Sequence, residues 1–210
     1  FHAELLRQPE TEATDVALAI ELFTKGSLNT FAKPTNVDTN SRILCYDIRD
    51  LGRQLLPVGM LVVLDSVFNR IIRNRQQGRN TWIYIDEIYL LFQHEYSANF
   101  LFTLWKRVRK YRACCTGITQ NVDDLLQSHT ARTMLANSEF LVMLNQAATD
   151  RTELARLLNI SDNQLSYITN VDSGRGLIKC GSAIVPFMDN FPKNRLYKLM
   201  TTKPSDTDGT

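Results

Sequence analysis

Two adjacent acids, Asp86 and Glu87, are the residues of this chain with the clearest chemical meaning. They follow four apolar residues, 82–85, within the stretch "TWIYIDEIYLLF". An apolar run of this kind predicts a buried strand, and ligands bind at the carboxyl ends of the strands in a parallel sheet. At such a place Asp86 can hold a hydrated Mg²⁺, and Glu87 can orient or deprotonate an attacking water. The alternative is a strand end with two solvated acids, one of which caps the next helix.

A polar residue ends the next predicted strand as well. The segment "CCTGITQ" closes on Gln120, one strand–helix unit after the acids. An amide at this edge of a parallel sheet can sense the γ-phosphate of a nucleotide or position water. The alternative is that Gln120 is an ordinary loop residue.

The phosphate-binding part of a nucleotide site is missing from the sequence. A GxxxxGK[S/T] loop cradles phosphates with backbone N–H groups and a lysine, but none of the nine glycines here is followed by Lys. The one GxG, formed by Gly174, Arg175 and Gly176, stands before a predicted strand and not between a strand and a helix. The sequence therefore predicts the acidic part of a nucleotide site without its phosphate cradle.

The elements that must position these residues follow from apolar periodicity. Near-continuous apolar strands that alternate with helices predict a parallel α/β sheet covered on both faces, with a hairpin at the end of the chain. The predicted strands are "RILCYDI", "WIYIDE", "CCTGITQ" and "EFLVMLNQ", and the hairpin is "GLIKCG" with "AIVPFM". A helix is predicted within residues 9–26, a long and mostly buried one in "VGMLVVLDSVFNRIIRNR", and an amphipathic one in "SANFLFTLWKRVRKY".

Several side chains have predicted structural roles. Asn121 and Asp123 are expected to cap one helix, Asp150 with Glu153 and Ser161 with Gln164 are expected to form capping boxes, and Trp82 and Trp105 are expected in the core. His94 is interpreted as a surface residue. The domain prediction is an N-terminal helix and loop over 1–40, an α/β domain over 41–200 and a disordered tail over 201–210.

Composition narrows the function class. The chain has 210 residues, is 44% hydrophobic and carries a net charge of +2, so it offers no overall basic surface for nucleic acid or anionic membranes. Its four cysteines form no CxxC pair and its three histidines lie far apart, which predicts free thiols and no zinc site. The longest apolar stretch, 58–64, is much shorter than the roughly 20 residues that span a bilayer.

Long blocks of the sequence resemble the C-terminal ATPase region of the large conjugative-transfer ATPases. These are the type IV secretion proteins of the TraC/TraE type, found on mobile elements of Gram-positive bacteria. The blocks include "TWIYIDEIYLLF", "FLFTLWKRVRKYRA" and "TGITQNVDDLL", and the resemblance extends over about residues 5–204. It implies a RecA-like fold of the septal-translocase and HerA class that acts as a hexamer and hydrolyses ATP with Mg²⁺. It also implies that the phosphate loop lies upstream of Phe1, so that the piece alone is inactive.

The resemblance implies roles for particular residues. Asp86 and Glu87 match the Walker B acids, as metal ligand and catalytic base, and Gln120 matches the sensor glutamine. An arginine that acts across a subunit boundary is expected among Arg107, Arg109 and Arg112, with Arg132, Arg151 and Arg175 as weaker candidates; the alternative is a solvated basic face. The turn of Gly174, Arg175 and Gly176 is expected near the nucleotide base or a neighbouring subunit, unless its glycines only serve the hairpin.

The expected function is that of a motor part that couples ATP hydrolysis to channel assembly or substrate transfer. Its expected partners are further copies of itself and the secretion channel with its coupling proteins, at the cytoplasmic face of the cell membrane. Two alternatives remain open: a non-catalytic oligomerisation or docking module, and a DNA-translocating motor domain. Direct nucleic-acid binding is not indicated by the net charge.

Overall fold

The computed structural model describes residues 1–120 and 122–201 of the chain. Contacts divide the chain into two compact units, Phe1–Arg79 and Asn80–Thr210. The predicted domain boundary at residue 40 stays a prediction. The first unit consists of helices, and the second contains every strand that the described residues form.

The first unit contains three α-helices and two short 3₁₀ turns. Their bounds are α1 His2–Leu5, α2 Thr11–Thr24 and α3 Gly52–Gln76, with 3₁₀ turns at Asn29–Ala32 and Arg49–Leu51. The predicted strand "RILCYDI" is wrong, because residues 42–48 are irregular. Side-chain contacts hold this segment in place of the expected strand-to-strand hydrogen bonds. Tyr46 Oη lies 2.8 Å from Ser66 Oγ, and Arg70 of α3 donates to the carbonyl of Ser41 over 2.8 Å. A strand needs a neighbouring strand for its backbone groups, and the described part of this unit contains none.

Helix α3 is long and apolar but is not mostly buried, so that prediction is wrong. Only Gly59, Met60, Leu64 and Ile71 are buried along its 25 residues. By length and composition alone, the segment Arg49–Gln76 could cross a membrane. Its longest uninterrupted apolar run, 58–64, is still much shorter than a bilayer span. The core helices of soluble proteins meet the same criterion, so the finding carries no further conclusion.

The second unit contains two small sheets with helices beside them. Its strands are β1 Thr81–Ile85, β2 Ala113–Gly117, β3 Phe140–Met143, β4 Arg175–Cys180 and β5 Ala183–Met188. Its helices are α4 Glu95–Arg107, α5 Val122–Gln127, α6 His129–Ala136, α7 Ala148–Leu158, α8 Asp162–Leu165 and α9 Arg195–Met200, with 3₁₀ turns at Ile88–Phe92, Val108–Tyr111 and Ser166–Ile168. The α/β fold class and the C-terminal hairpin are confirmed.

The sheet topology differs from the prediction in one respect. Strands β1 and β2 are parallel, with Thr81 opposite Ala113 and Ile85 opposite Gly117. Strand β3 was expected to continue this parallel sheet, but it pairs antiparallel with β4, in the order β3-β4-β5. Its four consecutive apolar residues, 140–143, fit either direction, because both place alternate side chains on opposite faces.

Two apolar clusters form the core of the second unit. One includes Met143, Leu158, Ile168 and Leu177, beneath the antiparallel sheet. The other gathers Ile88, Leu101, Leu125, Ala131 and Met134, and Trp105 packs against it. Trp82 was expected in the core but is 65% exposed, on the same face of β1 as the exposed Tyr84.

The helix ends test the predicted caps. Ser161 and Gln164 form the capping box as predicted, at the start of α8. The predicted box of Asp150 and Glu153 is wrong, because α7 begins at Ala148 with Ala147 at its N-cap. Asp123 lies in the first turn of α5, whereas the predicted cap Asn121 lies outside the described residues. The predicted disordered tail also lies outside them, apart from Thr201.

Candidate active site

Asp86 and Glu87 lie at the carboxyl end of the parallel sheet. They follow β1 directly, and backbone hydrogen bonds on both sides hold this point of the chain. The amide of Ile118 donates to the carbonyl of Ile85 over 2.8 Å, and the amide of Ile88 donates to the carbonyl of Ile118 over 3.0 Å. The two acids therefore lie between two bonds to a single residue of the segment that follows β2. Their backbone is fixed by the sheet and does not depend on a free loop.

Glu87 has a left-handed backbone, with φ 47° and ψ 45°. This conformation costs a non-glycine residue about 1–2 kcal/mol, because its Cβ approaches the following carbonyl oxygen. The Asp86 side chain offsets part of that cost, since its Oδ1 accepts from the Glu87 amide over 3.0 Å. Strain of this kind at a strand end is typical of positions where a side chain must be aimed.

The two carboxylates differ in their surroundings. Asp86 is exposed and Glu87 is half-buried. Asp86 retains its second carboxylate oxygen for an external partner, because the bond from Glu87 engages only Oδ1. Exposed carboxylate oxygen of this kind suits Mg²⁺, which keeps most of its waters and takes only one or two protein carboxylates. Within the described residues no three acids, histidines or cysteines cluster as a complete metal cage.

Gln120 comes shortly after the hydrogen-bonded segment that holds the acids. It is exposed and lies two residues beyond Ile118, whose backbone bonds to Ile85 and Ile88. Since β1 and β2 are parallel, Gln120 follows the same carboxyl edge as Asp86 and Glu87. The fold thus brings three of the predicted site residues to one edge of one sheet.

The three arginines of the predicted trans-acting group lie at the opposite edge. Arg107 ends α4, Arg109 belongs to the 3₁₀ turn, and Arg112 precedes β2 with φ 55°. The carbonyl of Arg112 accepts from the amide of Thr81 over 3.1 Å, which ties this turn to the amino end of β1. Five strand residues at about 3.3 Å each place the two edges roughly 16 Å apart. Within one chain, these arginines and the acids are not brought together.

The glycines around Arg175 have local structural reasons. Gly174 has φ +85°, and its carbonyl accepts from the amide of Asp189 over 2.7 Å, which closes the open end of the hairpin. A Cβ at Gly176 would lie 2.1 Å from the carbonyl oxygen of Met143 on the neighbouring strand. Arg175 itself lies 3.7 Å from a carboxylate oxygen of Asp172. Strand packing therefore accounts for both glycines, and a role beside a nucleotide stays a prediction.

The weaker candidates for the trans-acting arginine lie on elements other than those that hold the acids. Arg132 of α6 donates to the carbonyl of Leu126 and lies 3.9 Å from Glu153, whose carboxylate also pairs with Arg156 over 3.5 Å. These residues line a cavity of about 200 Å³ beside α5 and α7, which includes neither the acids nor Gln120. Arg151 lies in the first half of α7, half-buried.

His94 is an exposed residue at the start of α4, in agreement with its predicted surface position. Its carbonyl accepts from the amide of Ala98 and from the hydroxyl of Ser97. Ser97 is buried and also donates to the carbonyl of Leu91, which holds the turn after the acids against α4. Neither this contact nor the pair of backbone hydrogen bonds made by Ile118 was predicted. Both end on backbone groups, and side-chain types give no signal for them.

Comparison with known proteins was informative in two respects. The family described as the TraG P-loop domain matches residues 32–177. A solved structure, VirB4 of Thermoanaerobacter pseudethanolicus, is similar with a TM-score of 0.73 and 25% sequence identity. That match covers 90% of this chain and 53% of the other, so the chain spans about half the length of its solved relative. Comparison with curated protein sequences found no match.

Proposed function

Because the chain belongs to the TraG P-loop domain family, we propose that it is the C-terminal part of a type IV secretion or conjugative-transfer ATPase. The observation that carries the proposal is the position of Asp86 and Glu87. Both acids follow a strand of a parallel sheet at its carboxyl end, bracketed by bonds to Ile118. The structural similarity to VirB4 supports the same function class.

The chemistry assigned to this edge is hydrolysis of ATP. Asp86 would hold a hydrated Mg²⁺ through its free carboxylate oxygen, and a metal there would supply positive charge to offset that of the phosphate oxygens. Glu87 accepts a proton from the attacking water, and the amide of Gln120 orients that water from the neighbouring strand. The strained backbone of Glu87 supports a role in which its carboxylate must keep one direction.

The phosphate cradle of this site comes from polypeptide outside these 210 residues. No glycine of the chain precedes a lysine, so no segment of it forms a phosphate-binding loop of the GxxxxGK[S/T] type. The VirB4 chain has about half of its length without a counterpart here, which leaves room for such a loop in a relative. We therefore expect residues 1–210 alone to show no ATP hydrolysis.

One of Arg107, Arg109 and Arg112 completes the site of a neighbouring copy. These arginines lie at the amino edge of the sheet and the acids at the carboxyl edge, so one chain cannot use both for the same nucleotide. A head-to-tail arrangement would bring this basic edge of one subunit against the acidic edge of the next, and such contacts form a ring when the rotation between subunits closes. A hexamer at the cytoplasmic face of the membrane, joined to a secretion channel and its coupling proteins, is the assembly proposed.

Two other functions have less support from the described residues. A docking module without catalysis leaves the left-handed backbone of Glu87 and the bracketing bonds to Ile118 without a purpose. A DNA-translocating motor requires the same nucleotide site. The site residues therefore do not distinguish a DNA-translocating motor from a secretion motor. Sedimentation of residues 1–210 tests the hypothesis of a non-catalytic oligomerisation module, because that hypothesis requires strong self-association of these residues alone.

The test is Glu87→Gln in the full-length gene product. Loss of the base should abolish ATP turnover, while binding of a fluorescent ATP analogue stays within about twofold, because the cradle and Asp86 are untouched. Glu95→Gln is the matched control, since Glu95 is an exposed acid in the first turn of α4. Unchanged turnover in the Glu87 variant would show that Glu87 is not the catalytic base. ATP turnover by residues 1–210 alone would contradict the proposal that the phosphate cradle lies outside them.

A further inference from the structure

The cavity of about 200 Å³ in the second unit is lined by α5, α6 and α7 and contains none of the residues assigned to ATP hydrolysis. We call it the helical cavity. A cavity of this size holds several waters, so it has room for a small organic group. The residues that line it are two leucines, two arginines and one acid: Leu126, Leu157, Arg132, Arg156 and Glu153.

Two guanidinium groups in the helical cavity face one carboxylate. Nη2 of Arg132 lies 3.9 Å from Oε2 of Glu153, and Nη2 of Arg156 lies 3.5 Å from the same oxygen. Both separations exceed the roughly 2.7–2.9 Å of a charge-assisted hydrogen bond, so Glu153 fully engages neither arginine. Since Glu153 is the one acid among the described lining residues, one positive charge at the cavity wall has no acidic counterpart there.

The elements that carry these charges are fixed by other contacts. Arg132 donates from Nε to the carbonyl of Leu126 in α5, and this bond leaves its terminal N–H groups available for a ligand. Helix α7 buries Leu154 and Leu158 in the apolar cluster beneath the antiparallel sheet, which holds the helix that bears Glu153 and Arg156. A ligand that binds here therefore loses little entropy in ordering the backbone.

We propose that the helical cavity binds a carboxylate group carried on an aliphatic chain. Arginine binds carboxylates through two parallel N–H···O bonds, and one carboxylate supplies the single negative charge that Glu153 leaves unmatched. Leu126 and Leu157 provide apolar wall for the carbon chain. A phosphate dianion fits less well, because it exceeds the unmatched charge and has no apolar part. A free small acid and an acidic side chain of a partner protein both present the required chemistry.

Glu153 acts in this site as a competing anion. It occupies part of the space that both guanidinium groups face, and its charge repels an incoming carboxylate. Removing that charge should therefore tighten binding of the ligand. If the ion pairs serve only to tie α6 to α7, the same change lowers stability and brings no gain in affinity. The inference does not depend on the proposed function, since neither Glu153 nor Arg156 has an assigned part in ATP hydrolysis.

The experiment titrates butyrate into the full-length gene product at constant ionic strength and detects binding by saturation-transfer difference NMR. Arg156→Gln should weaken binding about threefold to fivefold, a modest factor because this side chain is largely exposed and screened. Glu153→Gln should strengthen binding by a similar factor. Butanol, which has the same chain without the charge, should bind at least about tenfold more weakly. A short peptide with a single Glu is titrated in parallel, and the tighter of the two carboxylates identifies the source.

The matched control is Arg7→Gln. Arg7 pairs with Glu4 at the same i,i+3 spacing as Arg156 with Glu153, and the two arginine side chains are 75% and 74% exposed. This control should leave the affinity for butyrate unchanged.

The inference fails if butyrate and the peptide do not bind, or if Glu153→Gln leaves the affinity unchanged or lowers it. It also fails if inorganic phosphate binds more tightly than either carboxylate with the same dependence on Arg156. Thermal unfolding shows whether each variant keeps the fold. If Glu153→Gln does not fold, the comparison of Arg156→Gln with Arg7→Gln decides, and equal affinities in those two variants overturn the proposal.

Discussion

The backbone amide of Ile88 donates to the carbonyl oxygen of Ile118 over 3.0 Å, beyond the point where the regular ladder of β1 and β2 ends. Together with the bond from Ile118 to Ile85, it leaves two residues just after β1 facing one residue just after β2. Those two residues are Asp86 and Glu87. This arrangement bends the chain at the acids and places their carboxylates at the rim of the sheet, as β-bulges do next to active sites.

The left-handed backbone of Glu87 predicts an unusual order of stability between two variants. Glu87→Gly should be more stable than Glu87→Ala by about 1 kcal/mol, because glycine adopts a positive φ without a clash of Cβ. The free energy of unfolding from urea titration measures the difference. At Glu21 in the last part of α2, the same pair should show the opposite order, with the alanine variant more stable. Equal stabilities of the two Glu87 variants would contradict the strained conformation.

Gly176 is predicted to be intolerant of any side chain. Gly176→Ala should lower the free energy of unfolding by about 1–3 kcal/mol, because its Cβ would overlap the carbonyl oxygen of Met143 and separate β3 from β4. Gly181→Asn is the control, since Gly181 has open space around it and φ +56°, a conformation that asparagine tolerates. Denaturant titration should find the smaller loss in the control, and the reverse order would argue against the close approach of the two strands.

The two adjacent cysteines of β2 should differ in reactivity. Burial raises the pKa of the Cys115 thiol to about 12, and the neighbouring Cys114 adds to the shift. Because the thiolate is the reacting form, iodoacetamide at pH 8.5 should modify Cys115 at least about tenfold more slowly than the exposed Cys114. Peptide mass spectrometry measures both rates in one sample. Equal rates would show that Cys115 is not protected as the fold requires.

The raised pKa of Cys115 also predicts a loss of stability in alkali. The folded chain keeps this thiol protonated, whereas the unfolded chain releases the proton near the ordinary thiol pKa of 9.0. The contribution to stability is therefore complete below pH 9 and declines as the pH rises toward 12. Urea titrations at pH 8 and pH 10 should show this decline, and Cys115→Ala should reduce it. If the Cys115→Ala variant loses as much stability between pH 8 and pH 10, the loss is due to other titratable groups.

The proposed trans-acting arginine predicts rescue between inactive subunits. In the full-length gene product, one of Arg107→Ala, Arg109→Ala and Arg112→Ala should reduce ATP turnover by about 10³-fold or more, whereas Lys110→Ala should not. Mixing that arginine variant with Glu87→Gln should restore part of the activity, because some interfaces then join an intact arginine to an intact Glu87. Steady-state ATP hydrolysis of the mixtures measures the effect. Mixtures that associate but remain inactive would contradict action across the interface.

The sequence by itself identified the features that depend on local pattern. The apolar run before Asp86 indicated β1, the Ser161–Gln164 spacing indicated a capping box, and two apolar-rich segments close together in the chain indicated the C-terminal hairpin. These predictions hold because a helix cap or a hairpin is built from residues that are close in the chain. The acidic edge belongs to the same class, since a strand end and its acids are adjacent in the sequence.

Tertiary structure alone decided the features that depend on distant partners. Residues 42–48 have strand composition but no neighbouring strand, and β3 joins an antiparallel partner although its pattern fits a parallel sheet equally well. Trp82 and helix α3 are apolar yet largely exposed, because burial depends on what packs against a side chain and not on its own character. The bracket of Ile118 around Asp86 and Glu87 likewise consists of backbone bonds between separate segments, for which the side-chain sequence carries no signal.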